Sequence, residues 1–515
     1  MSKNLFKHKV CGSTSKVCDD YQGLKKEFST IPFHINSIIR HIDKLSDFDR
    51  VMCSTGYDDA LNYITQNITC PAEWIRIEEY EPGAEHWGWK VPSSMNFWRD
   101  TDRPSIIEIP NHRSMKSLDV HVPGKGDREI IIVAHLDHPK PSANDNASGA
   151  AMMMELINYY VKCRPKISLR FLFTVEYFGT VAYCHRYEKE LGGIMAGISL
   201  DMVGADQNIS GSTLIVDEIP HHHVSSLDLL LRHRLKEVAR GGNYREIGNS
   251  LPVYRCDFQY YTGGSDHYIL NDATIGIPAS CLNTYPDPFY HTRNDTADKI
   301  SPETLKIFFT TVVHALNDVC DDDPTALNRF SQLTLNHFDE QANQILMGLT
   351  KNSTIAPDDY SFRLHHVFTV STLRLKNIWS LASSMDSGFW QTSLRDVYQS
   401  ASERFHFMSG CEPRQSGWET GRRFNRRFKA PLCRNRLFEI ITATEKEEIT
   451  GELQQDPLFF HKIDAALNYC GSRGTAEISR LLRMHYGGED YEGKIDKYFR
   501  ILCRYGLMEE GTDDL

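Results

Sequence analysis

Apolar positions recur at helical spacing early in the chain, at Leu24, Phe28, Ile35, Ile38, Ile39 and Ile42, with Pro32 at a break. A second helix is predicted from near Ser54, with Tyr57, Leu61 and Ile64 on one face. From Leu118 the pattern changes. Leu118, Val120 and Val122 alternate, and Ile130–Val133 is a continuous apolar run. Further buried strands are predicted over 167–175 and 194–203, separated by helices over 147–161 and 181–191. Alternation of this kind predicts an α/β fold, a three-layer sandwich whose mixed, mostly parallel sheet is covered on both faces. An amphipathic helix over 225–239 closes at Gly241-Gly242, and Ser301-Pro302-Glu303 opens another with a serine cap.

The flanks have a different texture. Trp74, Trp87, Trp89 and Trp98 fall within 25 residues among Pro and Gly, which predicts a small β-rich insertion whose tryptophans make its core or line a substrate mouth. Residues 325–405 are predicted helical. Apolar spacing at Ile463, Ala466 and Leu467, at Ile478, Leu481 and Leu482, and at Ile495, Tyr498 and Leu502 predicts three short helices, the content of a winged helix. The expected organisation is a helical part over 1–70, the insertion over 71–116, an α/β core over 117–325, a helical continuation over 326–410 and a winged-helix-like unit over 411–515.

Composition narrows the class of function. A net charge of −11 over 515 residues is unsuited to a broad polyanion-binding surface. Seven basic residues do fall within 15 positions, Arg422 to Arg436; a solvated loop or a dock for an acidic domain is the favoured reading over nucleic acid. The 13 scattered cysteines contain no CxxC pair and read as free thiols of a reducing compartment, hence a cytoplasmic protein. No apolar run reaches the length of a membrane span. Phosphate-loop, dinucleotide and serine-hydrolase signatures are absent.

The chemistry gathers at the predicted strand ends. The first buried strand runs into Ala134-His135-Leu136-Asp137-His138-Pro139, followed by Asn144-Asp145-Asn146 at the start of a helix. The next two strands end in Val175-Glu176-Tyr177 and Leu200-Asp201-Met202, and Tyr290-His291-Thr292 comes later. Parallel strands deliver such residues to one rim, where α/β proteins place their sites. Imidazole and carboxylate together suit Zn²⁺. Taken singly, each residue has an ordinary explanation as a cap or a hydrogen-bonded side chain. Several strands ending in ligand-type residues do not. His221-His222-His223 reads as an exposed turn without carboxylate partners. Gly263-Gly264 before Asp266 reads as a flexible loop whose carboxylate is placed to hold a substrate ammonium.

These motifs resemble the zinc aminopeptidases with a co-catalytic metal site, relatives of the glutaminyl cyclases. The matching residues are His135-Leu-Asp137, Asn144-Asp-Asn146, Glu176 before Gly179, Asp201-Met-Val-Gly204 and His291. A bacterial aminopeptidase-like branch, with a small insertion and a C-terminal winged helix, is more similar still. It shares His135-x-x-His138-Pro139, Gly264-Ser-Asp266 and Ser301-Pro-Glu303. The resemblance implies His135, Asp145 and Asp201 as ligands of one zinc, with Asp145 bridging to a second zinc held by His291. It implies Asp137 as the residue orienting His135, and Glu176 as the base that takes a proton from the attacking water.

The family's second glutamate is Tyr177 here, so one zinc is favoured, two remain open, and His138 is the candidate replacement ligand. Tyr177 and Asp266 are assigned to substrate binding. The expected activity is hydrolysis of an N-terminal aminoacyl amide in a peptide or aminoacylated metabolite. A single-zinc acyltransferase or cyclase, and a nucleic-acid-binding regulator with a degenerate peptidase domain, are the alternatives. Self-association into a homo-oligomer is left open.

Overall fold

A computed structural model describes residues 33–99, 105–126, 128–239, 254–320, 324–350, 356–380, 388–418, 420–488 and 490–511. Leu24, Phe28 and Gly241-Gly242 lie outside the described residues.

Eight strands form one mixed sheet. They are β1 (Ile75–Tyr80), β6 (Met115–Val122), β7 (Glu129–His135), β8 (Ser168–Thr174), β9 (Ile194–Leu200), β10 (Thr213–Asp217), β11 (Cys256–Gln259) and β12 (Ala279–Tyr285). Their order is β1-β6-β8-β7-β9-β12-β10-β11. The central strands β8, β7, β9 and β12 run parallel to one another. The pairs β1–β6, β6–β8 and β10–β12 are antiparallel. The four central strands therefore end on the same edge.

Strand β7 shows why the sheet is covered on both sides. Ile130, Ile132 and Ala134 face one apolar cluster, and Ile131 and Val133 face another. The first cluster is closed by helices α1 (Ile35–Asp47), α2 (Thr55–Asn67) and α3 (Gly149–Lys162). The second is closed by α4 (Phe178–Arg186). All five strand residues are fully buried, each of the larger ones contributing about 1.5–3 kcal/mol. Helix α2 starts where the sequence predicts, with the Ser54 hydroxyl accepting the Tyr57 N–H.

The tryptophan-rich segment contributes β1 to the edge of the main sheet and two small hairpins, β2 (Glu85–His86) with β3 (Trp89–Lys90), and β4 (Ser94–Asn96) with β5 (Ile106–Glu108). Its tryptophans do not form a common core. Trp74 lies under the Arg164 guanidinium, Trp87 against His185, Trp89 edge-on to Phe178, and Trp98 beside Phe97. The insertion is thus held by the elements it covers.

Helix α5 (Leu227–Ala239) packs on α6 (Pro302–Cys320). The Ser301 hydroxyl accepts the Thr304 N–H at the start of α6. Long helices α7 (Pro324–Thr350), α8 (Pro357–Ser380) and α9 (Gly388–Ser409) follow. The C-terminal unit holds α10 (Arg434–Ile440), α11 (Ala443–Gln455), α12 (Phe459–Tyr469), α13 (Thr475–Tyr486) and α14 (Glu492–Arg504). A two-stranded ribbon, β13 (Phe424–Arg426) with β14 (Met508–Glu510), completes it. The basic run is spent largely on ion pairs. Arg426 meets Asp272, and Lys429 meets Glu188, both across to the α/β core; Arg434 lies 3.6 Å from Asp464. No helix among the described residues is long and apolar enough to cross a membrane.

Candidate metal centre

The rim begins at the end of β7. His135 is its last residue, and the chain then leaves the sheet through Asp137 and His138. This segment is pinned by Arg50, a fully buried guanidinium. Arg50 donates to the carbonyls of Leu136 and Ser142 at 2.8 Å each, and to that of Leu45. The Asn144-Asp145 turn is pinned from another direction. Asp295 accepts the Asn144 N–H at 2.7 Å and the Asp145 N–H at 3.0 Å. Burial pushes the Asp295 carboxyl up to about 7.

Two motif glycines have packing reasons. A side chain at Gly149 would meet the Leu200 carbonyl, and one at Gly179 would meet the Thr174 hydroxyl. Both allow a helix start to approach a strand end closely.

Asp145 sits at the centre. Its Oδ1 lies 3.3 Å from Nε2 of His135 and 3.3 Å from Nε2 of His138, and its Oδ2 lies 3.1 Å from Nε2 of His291. Asp201 Oδ1 is 3.3 Å from the same His135 nitrogen. On the far side of the rings, Asp137 lies 3.4 Å from His135 Nδ1 and 3.8 Å from His138 Nδ1, and it accepts the Glu176 N–H at 2.8 Å. His291 is stacked between Phe97 and Tyr290, with ring centroids 4.1 and 3.8 Å away.

Two groups of donors share Asp145. His135, Asp145 and Asp201 make one, and His138, Asp145 and His291 the other, each with its donor atoms within 4.8 Å of one another. Asp145 Oδ2 is shielded from solvent and has no aligned hydrogen-bond partner. Imidazole lone pairs converging on a buried carboxylate fit a dication. His138, the candidate replacement ligand, lies within reach as a third donor for the second group.

Glu176 belongs to neither of these two groups, although its carboxylate lies within 4.8 Å of ring nitrogens of His135 and His138. Burial raises its carboxyl well above the usual carboxylate range, with Asp201, Asp137 and Asp266 reinforcing this against His135. It lines a cavity of about 550 Å³ together with His138, Asp145, Asp201, Tyr260 and His485. Positive φ angles occur at His138 (130°), Tyr177 (57°), Met202 (58°) and His291 (57°), each in or beside the site. Strained backbone of this kind persists where the surroundings over-determine it, characteristically at functional sites.

Three expectations need correction. Tyr177 does not line the cavity. Its ring packs against Trp89 and Tyr268, with centroids 6.3 and 5.9 Å away. Asp266 is no loop-borne anchor for a substrate ammonium. It is fully buried behind the Glu176-Tyr177 turn, accepting the Tyr177 N–H at 2.9 Å and the Thr180 hydroxyl at 2.6 Å, and burial pushes its carboxyl up to about 6. His221 is not exposed either. It is buried, with Nε2 3.0 Å from the Glu218 carboxylate.

Sequence reasoning missed Arg50, Asp295 and Phe97. Only the burial of Arg50 marks it as unusual, and burial is not visible in one sequence.

A family model described as a domain of unknown function, DUF4910, matches residues 39–323. The chain belongs to that family. The matched span contains every residue of the rim. A Clostridium acetobutylicum protein whose name includes "aminopeptidase-like domain" is 28% identical over 250 residues, 47% of this chain and 52% of that protein. Aminopeptidase YwaD of Bacillus subtilis is 26% identical over 213 residues, 39% of this chain and 41% of that protein. The chain thus spans about half or less of the length of the curated relatives it matches. Among solved structures, a zinc aminopeptidase of Bacillus subtilis superposes with a TM-score of 0.43 and 14% identity, over 56% of this chain and 96% of that one.

Proposed function

We propose that the chain is a zinc-dependent hydrolase of aminopeptidase type, cleaving an N-terminal aminoacyl amide of a peptide or aminoacylated small molecule. The observation that carries this reading is the placement of Asp145 between three imidazoles at the wall of a cavity that also holds Glu176. The names of the two curated relatives support the same reaction class.

His135, Asp145 and Asp201 would hold one zinc, and His138, Asp145 and His291 a second. The first group has two carboxylates and the second has only the shared one, so the first binds more tightly. Bound zinc supplies Lewis acidity at the amide carbonyl. Asp137 orients His135 and, more distantly, His138 from behind. Glu176 takes a proton from the attacking water as its oxygen bonds to the carbonyl carbon, then gives it to the leaving amine as the C–N bond breaks. Leu458, His461, His485 and Tyr486 of the C-terminal unit form part of the cavity wall. The helices and ribbon of that unit support a winged-helix reading, here in the role of a wall.

The test is incubation of zinc-loaded protein with aminoacyl amides and N-terminal glutaminyl peptides, followed by mass spectrometry. Release of the N-terminal residue is expected. Loss of ammonia from an intact chain would replace hydrolysis with cyclisation, and no change in either substrate would overturn the proposal.

A further inference from the structure

We propose a separate zinc site formed by His221, His366 and His485, tying the C-terminal unit to the α/β core. The three residues come from distant parts of the chain. His221 follows β10, His366 lies in α8 and His485 in α13. A ring nitrogen from each lies within 4.8 Å of the others. His221 and His366 are both buried.

The tautomer of His221 is set by its neighbour. Nε2 of His221 lies 3.0 Å from Glu218 Oε1, and a carboxylate only accepts, so Nε2 carries the proton. The lone pair of His221 is therefore on Nδ1. That nitrogen faces Nε2 of His366 at 3.1 Å. The separation is close to the about 3.3 Å expected between two imidazole nitrogens sharing a tetrahedral zinc at about 2.05 Å. A carboxylate behind a ligating imidazole is also the usual support of such a ligand.

A hydrogen bond between His221 and His366 alone accounts for two rings and leaves the third. Nε2 of His485 is shielded from solvent and has no hydrogen-bond partner. The His485 ring is nonetheless held in place, stacked on Tyr260 with centroids 3.7 Å apart and planes 8° from parallel. Three neutral imidazoles suit zinc among the common divalent ions, with solvent at the fourth position. Tyr260 and His485 both line the cavity that Glu176 and Asp145 share, so this ion would fix one wall of it. No residue of the site belongs to the rim, and the inference stands whether or not the rim is catalytic.

The experiment is zinc content by elemental analysis after dialysis, for the unmodified chain and for His366→Ala, His485→Ala and Asp145→Asn. The two histidine variants should each lose one equivalent that Asp145→Asn retains. Unchanged content in both histidine variants would overturn the site. If those variants do not fold, anomalous diffraction at the zinc edge from crystals of the unmodified chain decides. A peak among the three imidazoles supports the site, and its absence there overturns it.

Discussion

His138 Nε2 lies 3.3 Å from Asp145 Oδ1, and both residues line the cavity. His138 lies three residues past the end of β7, and its φ of 130° puts it in a backbone region that side chains rarely adopt. If it completes the group with Asp145 and His291, His138→Ala leaves that group with two protein donors, fewer than zinc normally has. Elemental analysis after dialysis should show one equivalent fewer than in the unmodified chain. An unchanged count would remove His138 from the ligand set.

Glu176→Gln should preserve the fold and the zinc content, because Glu176 is not needed by either donor group. Turnover should fall roughly 10²–10⁴-fold, the range for a lost acid–base group. Steady-state kinetics and zinc analysis on the same preparation check this. Zinc loss in the variant would make Glu176 a ligand instead of a base.

Arg50→Met should be strongly destabilising. Its three carbonyl partners, those of Leu45, Leu136 and Ser142, lose a buried donor together. At about 1–3 kcal/mol for each orphaned group, the expected cost is roughly 3 kcal/mol or more. Denaturant titration measures it. Because Leu136 and Ser142 flank the Asp137–Pro141 segment, zinc affinity should fall as well. A variant of ordinary stability would show that these carbonyls find other partners.

Asp464 predicts a pH dependence at the contact between the C-terminal unit and the core. Tyr268 donates to its Oδ2 at 2.8 Å, and burial, only partly offset by Arg434 and this hydrogen bond, pushes its carboxyl up to about 6. The folded chain thus holds this proton more tightly than the unfolded chain, whose carboxyl titrates near 4. The resulting stability is fully present below pH 4 and is lost as pH rises through 6, to an extent of about 3 kcal/mol at most. Asp464→Asn should flatten that part of the stability profile, as followed by thermal unfolding across pH 4–7. A profile identical to that of the unmodified chain would refute the assignment.

The central sheet was legible because strands such as Ile130–Val133, buried on both faces, leave uninterrupted apolar runs. The rim was legible because parallel strands end together, so His135, Glu176 and Asp201 needed no knowledge of packing to be grouped. Residues whose role depends on what lies across from them were not legible. Asp266 follows two glycines and reads as a loop carboxylate, yet the chain folds it beneath Glu176. Glu218, three residues before His221, was overlooked as its partner, and His366 is 145 positions away. Periodicity reports that an element is buried and is silent on what covers it. The tryptophans show the same limit: their clustering was plain, and the surfaces they cover were not.

The cavity wall supplied by Leu458, His461, His485 and Tyr486 has a consequence for the order of assembly. Synthesis runs from the N-terminus, and domains generally fold as they emerge. The last rim residue, His291, leaves the ribosome about 200 residues before Tyr486. The rim residues can therefore gather on an open edge before the wall arrives to cover them. An ion loaded at that stage would be in place before the wall forms.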